Sequence, residues 1–144
     1  MTRATKKKVI IGGTFDVLHQ GHKALLRKAF ELGQVTIGLT SNIWARKIKR
    51  RKVKGFSQRK KELEKFISQE FKVKAKIIKI EDKFGPTLKE DFDYIVVSPA
   101  TYATAVLINQ ERQQRGKEPM KISKIEFVLG KDGRPLSATE ILKK

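Results

Sequence analysis

One run near the start of the chain carries most of the information about its architecture: Lys8-Val9-Ile10-Ile11-Gly12-Gly13-Thr14-Phe15-Asp16-Val17-Leu18-His19-Gln20-Gly21-His22. Its first part is an unbroken apolar run that ends in glycines, which is typical of a buried parallel strand. Gly12 and Gly13 let the backbone come close to a ligand and free the N–H groups of the turn. His22 stands where a helix begins, and the N–H groups there favour an anion. His19 and His22 are the two histidines of the chain, so we expect the functional site at this turn.

Beyond this turn, segments typical of helices alternate with segments typical of strands. Apolar residues at helical spacing predict a helix from His22 to Gly33, and Ser57 is expected to cap another. Further helices are predicted over 99–115 and, capped by Ser137, near the end of the chain. Strands are predicted over 8–12, 34–40, 73–80, 93–98 and 122–129. This alternation indicates an α/β fold with an open parallel five-stranded sheet and helices on both faces, which binds ligands beyond the carboxyl ends of its strands.

Length and composition limit the class of protein. The 144 residues suit one domain spanning 1–144, and the chain has no cysteine for disulfides, thiol nucleophiles or thiolate metal sites. No apolar stretch approaches the ~20 residues of a membrane span. The apolar run after the basic N-terminal tail 1–7 is too short for a signal peptide. We therefore expect a cytoplasmic protein that does not enter the membrane.

The positive charge is concentrated in one part of the chain. The net charge is +18; residues 1–72 carry 19 basic and 5 acidic side chains, a net +14, whereas residues 73–144 carry 14 and 10, a net +4. Ten of the sixteen residues from Arg46 to Lys61 are Lys or Arg, and none is acidic. Such a segment attracts polyanions non-specifically, or simply keeps the surface solvated. A nucleic-acid-binding module is an alternative, although Phe56 is the one aromatic residue of the segment and makes no stacking platform.

Two segments resemble a known family. Gly13-Thr14-Phe15-Asp16 followed by His19-Gln20-Gly21-His22 resembles the HxGH motif of the nucleotidyltransferase superfamily. The run 132–141 resembles the ending of the phosphopantetheine adenylyltransferases, and 94–98 and 107–112 resemble the archaeal and eukaryotic branch of that family. The resemblance implies a Rossmann-like sheet and an enzyme that transfers AMP from ATP to 4′-phosphopantetheine, which yields dephospho-coenzyme A and pyrophosphate.

Other members of the superfamily remain alternatives. FAD synthetases and cytidylyltransferases share the opening motif but typically end in an Arg-Thr-x-Gly pattern, which 133–139 lacks. Three departures from the phosphopantetheine pattern also matter, one of which is the run Arg46 to Lys61, more basic than this function requires. Glu140 stands where the family has Arg, and a carboxylate would repel a triphosphate. Ala138 replaces a Ser and removes one hydroxyl contact.

The resemblance assigns roles to individual residues. It implies that His19 and His22 meet the α- and β-phosphates of ATP and that Thr14 orients the acceptor phosphate. The implied nucleotide site comprises Gly12, Gly13, Thr14, Phe15, Gly21, His22, Ser137 and Thr139. Mg²⁺ is expected to bridge the triphosphate with few protein ligands. Asp16 is expected to be a structural turn residue rather than part of the metal shell.

A cation after the second strand is expected to clamp the acceptor phosphate. Lys47 is the first choice by position, with Arg46 and Lys49 as close rivals. Arg112 is assigned either a phosphate contact, because Arg favours bidentate oxyanion binding, or a surface position. The basic segment 41–56 is expected to be loop or short helix that could close over the site, as could a second subunit of an oligomer. Trp44 in this segment either packs the pantetheine arm or anchors the segment.

Overall fold

The computed structural model describes residues 7–125, and these form one open parallel sheet of five strands flanked by helices. The elements in chain order are β1 (Lys8–Gly13), α1 (Gln20–Leu32), β2 (Gln34–Thr40), α2 (Asn42–Lys49), α3 (Phe56–Phe71), β3 (Lys76–Ile80), β4 (Tyr94–Val97), the 3₁₀ turn Pro99–Thr101, α4 (Tyr102–Gln114) and β5 (Lys121–Lys124). The predicted fold class is confirmed. No helix in this part of the chain is both long and apolar enough to cross a membrane.

The strand order β3-β2-β1-β4-β5 places β1 at the centre of the sheet. β1 pairs in parallel with β2 over its whole length, up to Gly13 beside Leu39, and with β4 at Val9 and Ile10. The next two strands of the chain, β2 and β3, therefore lie on one side of β1, and the last two, β4 and β5, lie on its other side. Open α/β sheets bind ligands in the crevice that this change of side leaves beyond the carboxyl ends of the strands. The turn that follows β1 lies at this crevice.

Apolar side chains on the two faces of β1 hold helices on both sides of the sheet. Successive residues of a strand point to opposite faces, and Val9, Ile10 and Ile11 are all buried. Val9 and Ile11 pack with α1 and α3 in a layer whose buried members include Leu26, Ala29, Leu63 and Ile67. Ile10 packs on the other face with Ile95, Val97, Ala105, Ile108 and Met120. Burial on both faces is the physical reason for the unbroken apolar run that predicted β1.

Three predicted element starts are wrong by a few residues. α1 begins at Gln20 rather than His22, because His19 caps it. α3 begins at Phe56 rather than after Ser57: Gly55 is its N-cap, and the Phe56 N–H is satisfied by Asn42 Oδ1 at 2.8 Å. β3 begins at Lys76, where its pairing with β2 starts, rather than at residue 73. For α3 and β3 a contact distant in sequence sets the boundary, whereas for α1 the adjacent residue His19 does.

The basic segment 41–56 folds into a short helix followed by a connecting loop, as predicted. The Ser41 hydroxyl caps α2 by accepting the Trp44 N–H at 3.1 Å, and Arg50 ends the helix in a left-handed conformation, with a φ of 54°. The predicted fifth strand begins at Lys121. Its predicted end, the predicted last helix and most of the N-terminal tail lie outside the described residues.

Candidate active site

The turn after β1 holds a strained residue in place by packing. Phe15 has a φ of 48°, a left-handed conformation that is costly for an aromatic residue. Its ring is 2% exposed and lies 4.8 Å from the His22 ring, centroid to centroid. A Cβ on Gly13 would stand 2.9 Å from Cε2 of Phe15, so Gly13 makes room for that ring. The ring of Phe15 therefore packs against His22, and the place of Phe15 in the nucleotide site stays a prediction.

His19 and His22 come together at the start of α1. His19 is the N-cap residue, and its Nδ1 accepts the Gly21 N–H at 3.0 Å. In a neutral His19 ring the hydrogen therefore sits on Nε2. The two imidazole rings stack, with 4.0 Å between centroids and 25° between planes. The HxGH spacing thus places two stacked imidazoles at a helix N-terminus, and their contact with the phosphates of ATP stays a prediction.

Gly21 makes room for the ring of His19. A Cβ at Gly21 would lie 2.8 Å from Cε1 and 3.0 Å from Nδ1 of His19. The missing side chain of Gly21 therefore leaves space for the capping ring, and the place of Gly21 in the nucleotide site stays a prediction. A Cβ at Gly12 would make ordinary contacts with the Gly38 carbonyl oxygen at 3.7 Å and with Ile80 Cδ1 at 3.8 Å, so this position has room for a methyl group.

Both histidines are held in their neutral forms. Burial lowers the pKa of His19 from 6.5, and the charge of Lys49 lowers it further. Burial, the neighbouring His19 and the charge of Lys49 lower the pKa of His22 to about 3. Nδ1 of His22 is buried and has no hydrogen-bond partner among the described residues. The site therefore keeps unused hydrogen-bonding capacity on His22.

Lys49, rather than Lys47, is the cation that acts on the histidines. Both lysines are exposed residues of α2, and Lys47 exerts no such effect on either ring. The charge of Lys49 lowers the pKa of both histidines, and its own pKa is lowered by desolvation and by Arg51. That Lys47 clamps the acceptor phosphate stays a prediction, with Lys49 as its rival.

Asp16 is a structural residue of the turn, as expected. Its Oδ2 accepts a hydrogen bond from Arg51 Nη1, and its Oδ1 accepts the Lys54 N–H, both at 2.9 Å. These contacts hold the pKa of Asp16 below its ordinary value against the opposing effect of burial. Both oxygens are thus engaged by the loop between α2 and α3. Asp16 ties this loop to the turn and is not free to bind a metal.

Thr14 belongs to a buried hydrogen-bond chain that the sequence did not indicate. Its Oγ1 lies 3.1 Å from Oγ1 of Thr40, at the carboxyl end of β2, and its carbonyl accepts from Arg59 Nη1 at 3.1 Å. Arg59 is fully buried. Nothing in the local pattern distinguishes Arg59 from the other cations of the segment 46–61. A buried cation so close to the turn adds to the positive field at the site.

A cavity of about 210 Å³ opens beside Gly12 and Gly13. One wall is α2, through Trp44 and Ile48, and another is α4. Its full lining is Gly12, Gly13, Thr40, Trp44, Ile48, Ile80, Lys83, Ile95, Val96, Val97, Thr101, Thr104, Ala105 and Ile108. This largely apolar chamber adjoins the turn after β1 through Gly12 and Gly13. Thr101, Thr104 and Lys83 were missed from the sequence, because they reach the cavity only through folding.

Arg112 does not belong to this site. It is 1% exposed and donates to the backbone carbonyls of Thr87, Glu90 and Glu118 and to the Asp91 carboxylate. These partners precede β4 and β5, so Arg112 lies at the amino ends of those strands, away from the turn after β1. Both the predicted phosphate contact and the predicted surface position are wrong. Three of its hydrogen bonds serve the backbone of two connecting loops, and the fourth pairs it with the Asp91 carboxylate.

Two further expectations concern the residues near the end of the chain and a metal ion. Ser137, Thr139, Ala138 and Glu140 lie outside the described residues. Within residues 7–125, no cluster of three or more His, Asp or Glu side chains is placed to hold a metal ion. The described part of the site comprises imidazoles, cations and backbone N–H groups.

Comparison with known proteins agrees with this geometry. The family model described as cytidylyltransferase-like matches residues 10–144. The fold, the paired imidazoles and this match define a nucleotidyltransferase. A phosphopantetheine adenylyltransferase of Methanosarcina acetivorans is 44% identical over 141 residues, which cover 94% of this chain and 89% of that protein. One of Archaeoglobus fulgidus is 41% identical over 136 residues, covering 93% and 91%.

A solved structure extends the match to three dimensions. The crystal structure of a protein with unknown function from Archaeoglobus fulgidus superposes with a TM-score of 0.79 at 42% identity, covering 82% of this chain and 88% of that one. The chain belongs to the phosphopantetheine adenylyltransferase family, and the resemblance drawn from its motifs is confirmed.

Proposed function

We propose that this protein transfers AMP from ATP to 4′-phosphopantetheine, forming dephospho-coenzyme A and pyrophosphate. The observation that carries the proposal is the stacked His19–His22 pair in the segment after β1, together with the apolar chamber lined by Gly12 and Gly13 of the same segment. The names of the relatives imply ATP and phosphopantetheine as substrates, and these need both the imidazole pair and the chamber. A triphosphate needs a rigid anion site, and a pantetheine arm needs an elongated apolar one.

The reaction makes modest chemical demands on the chain. An oxygen of the acceptor phosphate attacks the α-phosphorus of ATP, the bond from that phosphorus to the β-bridging oxygen breaks, and pyrophosphate leaves. The attacking oxygen is already ionised at neutral pH, so no general base is required. What remains is in-line placement of the two phosphates and stabilisation of negative charge. The described residues suit these two tasks.

The imidazoles and Lys49 act on the phosphates of ATP. Both histidines are neutral in the free protein, because burial and Lys49 lower their pKa values. Each neutral ring can donate one hydrogen bond to a phosphate oxygen. The N-terminus of α1 adds its unpaired N–H groups. Lys49 supplies the positive charge, in the role first given to Lys47.

The apolar chamber accommodates the pantetheine arm. Trp44 and Ile48 form its α2 wall, while the hydroxyls of Thr101, just before α4, and Thr104, on α4, offer polar contacts to the amides of the arm. Thr14, at the mouth, orients the acceptor phosphate. Ser137 and Thr139 keep their proposed contacts with the triphosphate.

Magnesium enters as part of the substrate, Mg·ATP. Asp16 is the carboxylate of the turn, and its oxygens are engaged by Arg51 and Lys54. The triphosphate itself can hold Mg²⁺ with few protein ligands. The cytoplasmic location, the oligomeric state and the attraction of polyanions remain predictions.

The test is pyrophosphate release from three substrate pairs: ATP with 4′-phosphopantetheine, ATP with FMN, and CTP with glycerol 3-phosphate, each with Mg²⁺. We expect release with the first pair alone and its loss in His22→Ala. Arg115→Ala, an exposed change on α4, is the matched control and should leave the rate unchanged. Pyrophosphate release with another pair would change the substrate assignment. No release with any of the three pairs would contradict the proposal.

A further inference from the structure

Arg59 is a fully buried cation in the first turn of α3, and its hydrogen bonds point toward the active-site turn. Nε donates to the Lys54 carbonyl at 2.7 Å, and Nη2 donates to Asn42 Oδ1 at 3.3 Å. Nη1 donates to the Thr14 carbonyl at 3.1 Å and to Thr40 Oγ1 at 3.3 Å. A guanidinium has donors and no acceptor, so the direction of all these bonds is set.

The direction of the Arg59 hydrogen bonds also sets the direction of the hydrogen bond between Thr40 and Thr14. Thr40 Oγ1 accepts from Arg59 and lies 3.1 Å from Thr14 Oγ1. Thr40 is 2% exposed, and within the described residues Thr14 is the acceptor that its hydrogen reaches. If Thr14 donated to Thr40 instead, a buried hydroxyl hydrogen would be left without a partner, which is costly. The chain therefore runs from Arg59 to Thr40 to Thr14.

The last group of this hydrogen-bond chain is the Thr14 hydroxyl, which has a hydrogen to donate. Thr14 Oγ1 has accepted from Thr40, and no described residue accepts the hydrogen of Thr14. Thr14 directly follows Gly13, which lines the cavity, and Thr40 lines the same cavity. A phosphate oxygen offers the acceptor that this hydrogen lacks, and polarised chains of hydrogen bonds strengthen their last member.

We propose that Arg59, acting through Thr40, turns the Thr14 hydroxyl so that its hydrogen points at a phosphate oxygen of the acceptor substrate. Arg59 and Thr40 are then positioning residues, and Thr14 alone of the three touches substrate. This inference rests on the proposed function, in which Thr14 orients the acceptor phosphate. A donor oriented before the substrate arrives needs no reorganisation during the reaction.

Thr40→Val is the decisive variant. Valine has the shape of threonine and suits a strand, and Arg59 Nη1 keeps the Thr14 carbonyl as its partner. In steady-state pyrophosphate release, we expect kcat/KM for 4′-phosphopantetheine to fall about tenfold, with KM for ATP changed less than about twofold. Thr40→Ser, which restores the hydroxyl, should recover most of the loss. Thr40→Ala removes the same hydroxyl with a smaller side chain and should match Thr40→Val.

A double-mutant cycle separates positioning from mere structure. In a Thr14→Val background there is no hydroxyl to orient, so Thr40→Val should cost less than about twofold further. Equal losses in both backgrounds, or an equal rise of KM for both substrates, would overturn the inference while the proposed function stood. Unchanged kinetics in Thr40→Val would do the same. Failure of the unaltered protein to release pyrophosphate from this substrate pair would overturn both.

Discussion

The imidazole ring of His22 lies stacked on that of His19, with 4.0 Å between their centroids. Two basic rings in this arrangement cannot both be charged at low cost, and burial disfavours even one proton. The free protein therefore presents neutral imidazoles to solvent. Negative phosphates placed beside them would favour the charged form, so we expect substrate binding to raise the pKa of the pair.

The depressed pKa of His22 makes stability depend on pH. The folded value is about 3, against 6.5 for the ordinary side chain. Between these values the unfolded chain binds the proton and the folded chain does not, so stability is full above pH 6.5 and is lost as the pH falls. From pH 6.5 to 4.5, His22 should remove about 1–2 kcal/mol of the free energy of unfolding, allowing for its partial exposure. Urea denaturation at several pH values measures this.

The control for that measurement is His22→Gln. Glutamine does not titrate, so the variant should show a flatter profile between pH 6.5 and 4.5. This range lies above the titration of Asp16, whose pKa is held below 3.8. An unchanged slope in His22→Gln would mean that His22 is not the group responsible.

Lys49 and Lys47 form a matched pair for testing the phosphate clamp. Lys49→Met removes the charge that acts on both histidines, and kcat/KM should fall about 10- to 100-fold, as for loss of one oxyanion-stabilising group. Lys47→Met removes an equal charge from the same helix and should change kcat/KM by less than about threefold. Steady-state kinetics with both substrates compares them. A larger fall of kcat/KM in Lys47→Met than in Lys49→Met would favour Lys47 as the phosphate clamp.

Alanine substitutions at Gly12 and Gly13 test whether each glycine is needed for ligand binding or for packing. A methyl group at Gly12 meets no atom within 3.7 Å, whereas one at Gly13 lies 2.9 Å from the Phe15 ring. Gly12→Ala should therefore keep the melting temperature and weaken ATP binding, measured by calorimetry. Gly13→Ala should lose about 1–3 kcal/mol of stability through overpacking. Wild-type ATP affinity in Gly12→Ala would show that ATP does not approach this face.

Arg112 is predicted to matter for stability rather than for catalysis. Arg112→Met leaves three backbone carbonyls without their donor, and unsatisfied buried acceptors should cost on the order of 3 kcal/mol together. The folded fraction should retain its kcat. Arg115→Met, on the exposed side of the same helix, is the control and should cost less than about 0.5 kcal/mol. A fall in kcat at unchanged stability would return Arg112 to the substrate.

Different parts of this molecule were predictable for different physical reasons. β1 was predicted because a strand buried on both faces needs consecutive apolar residues, which are visible in the chain. The start of α1 was misplaced because its cap is an imidazole rather than a hydroxyl or carboxamide, the side chains that usually signal an N-cap. Arg112 was misassigned because its partners lie in loops up to 25 residues away.

Periodicity and the glycines were enough to predict the α/β sheet and the turn that carries the site, the HxGH spacing predicted the superfamily, and the later motifs predicted the family. All of these depend on residues close together in the chain. The effect of Lys49 on both histidines, the burial of Arg59 beneath Thr14 and the placing of Thr101 and Thr104 around the cavity came only with the folded chain. These depend on where separate helices meet the sheet, and on the burial and electric field that result. No local pattern of residues encodes those quantities.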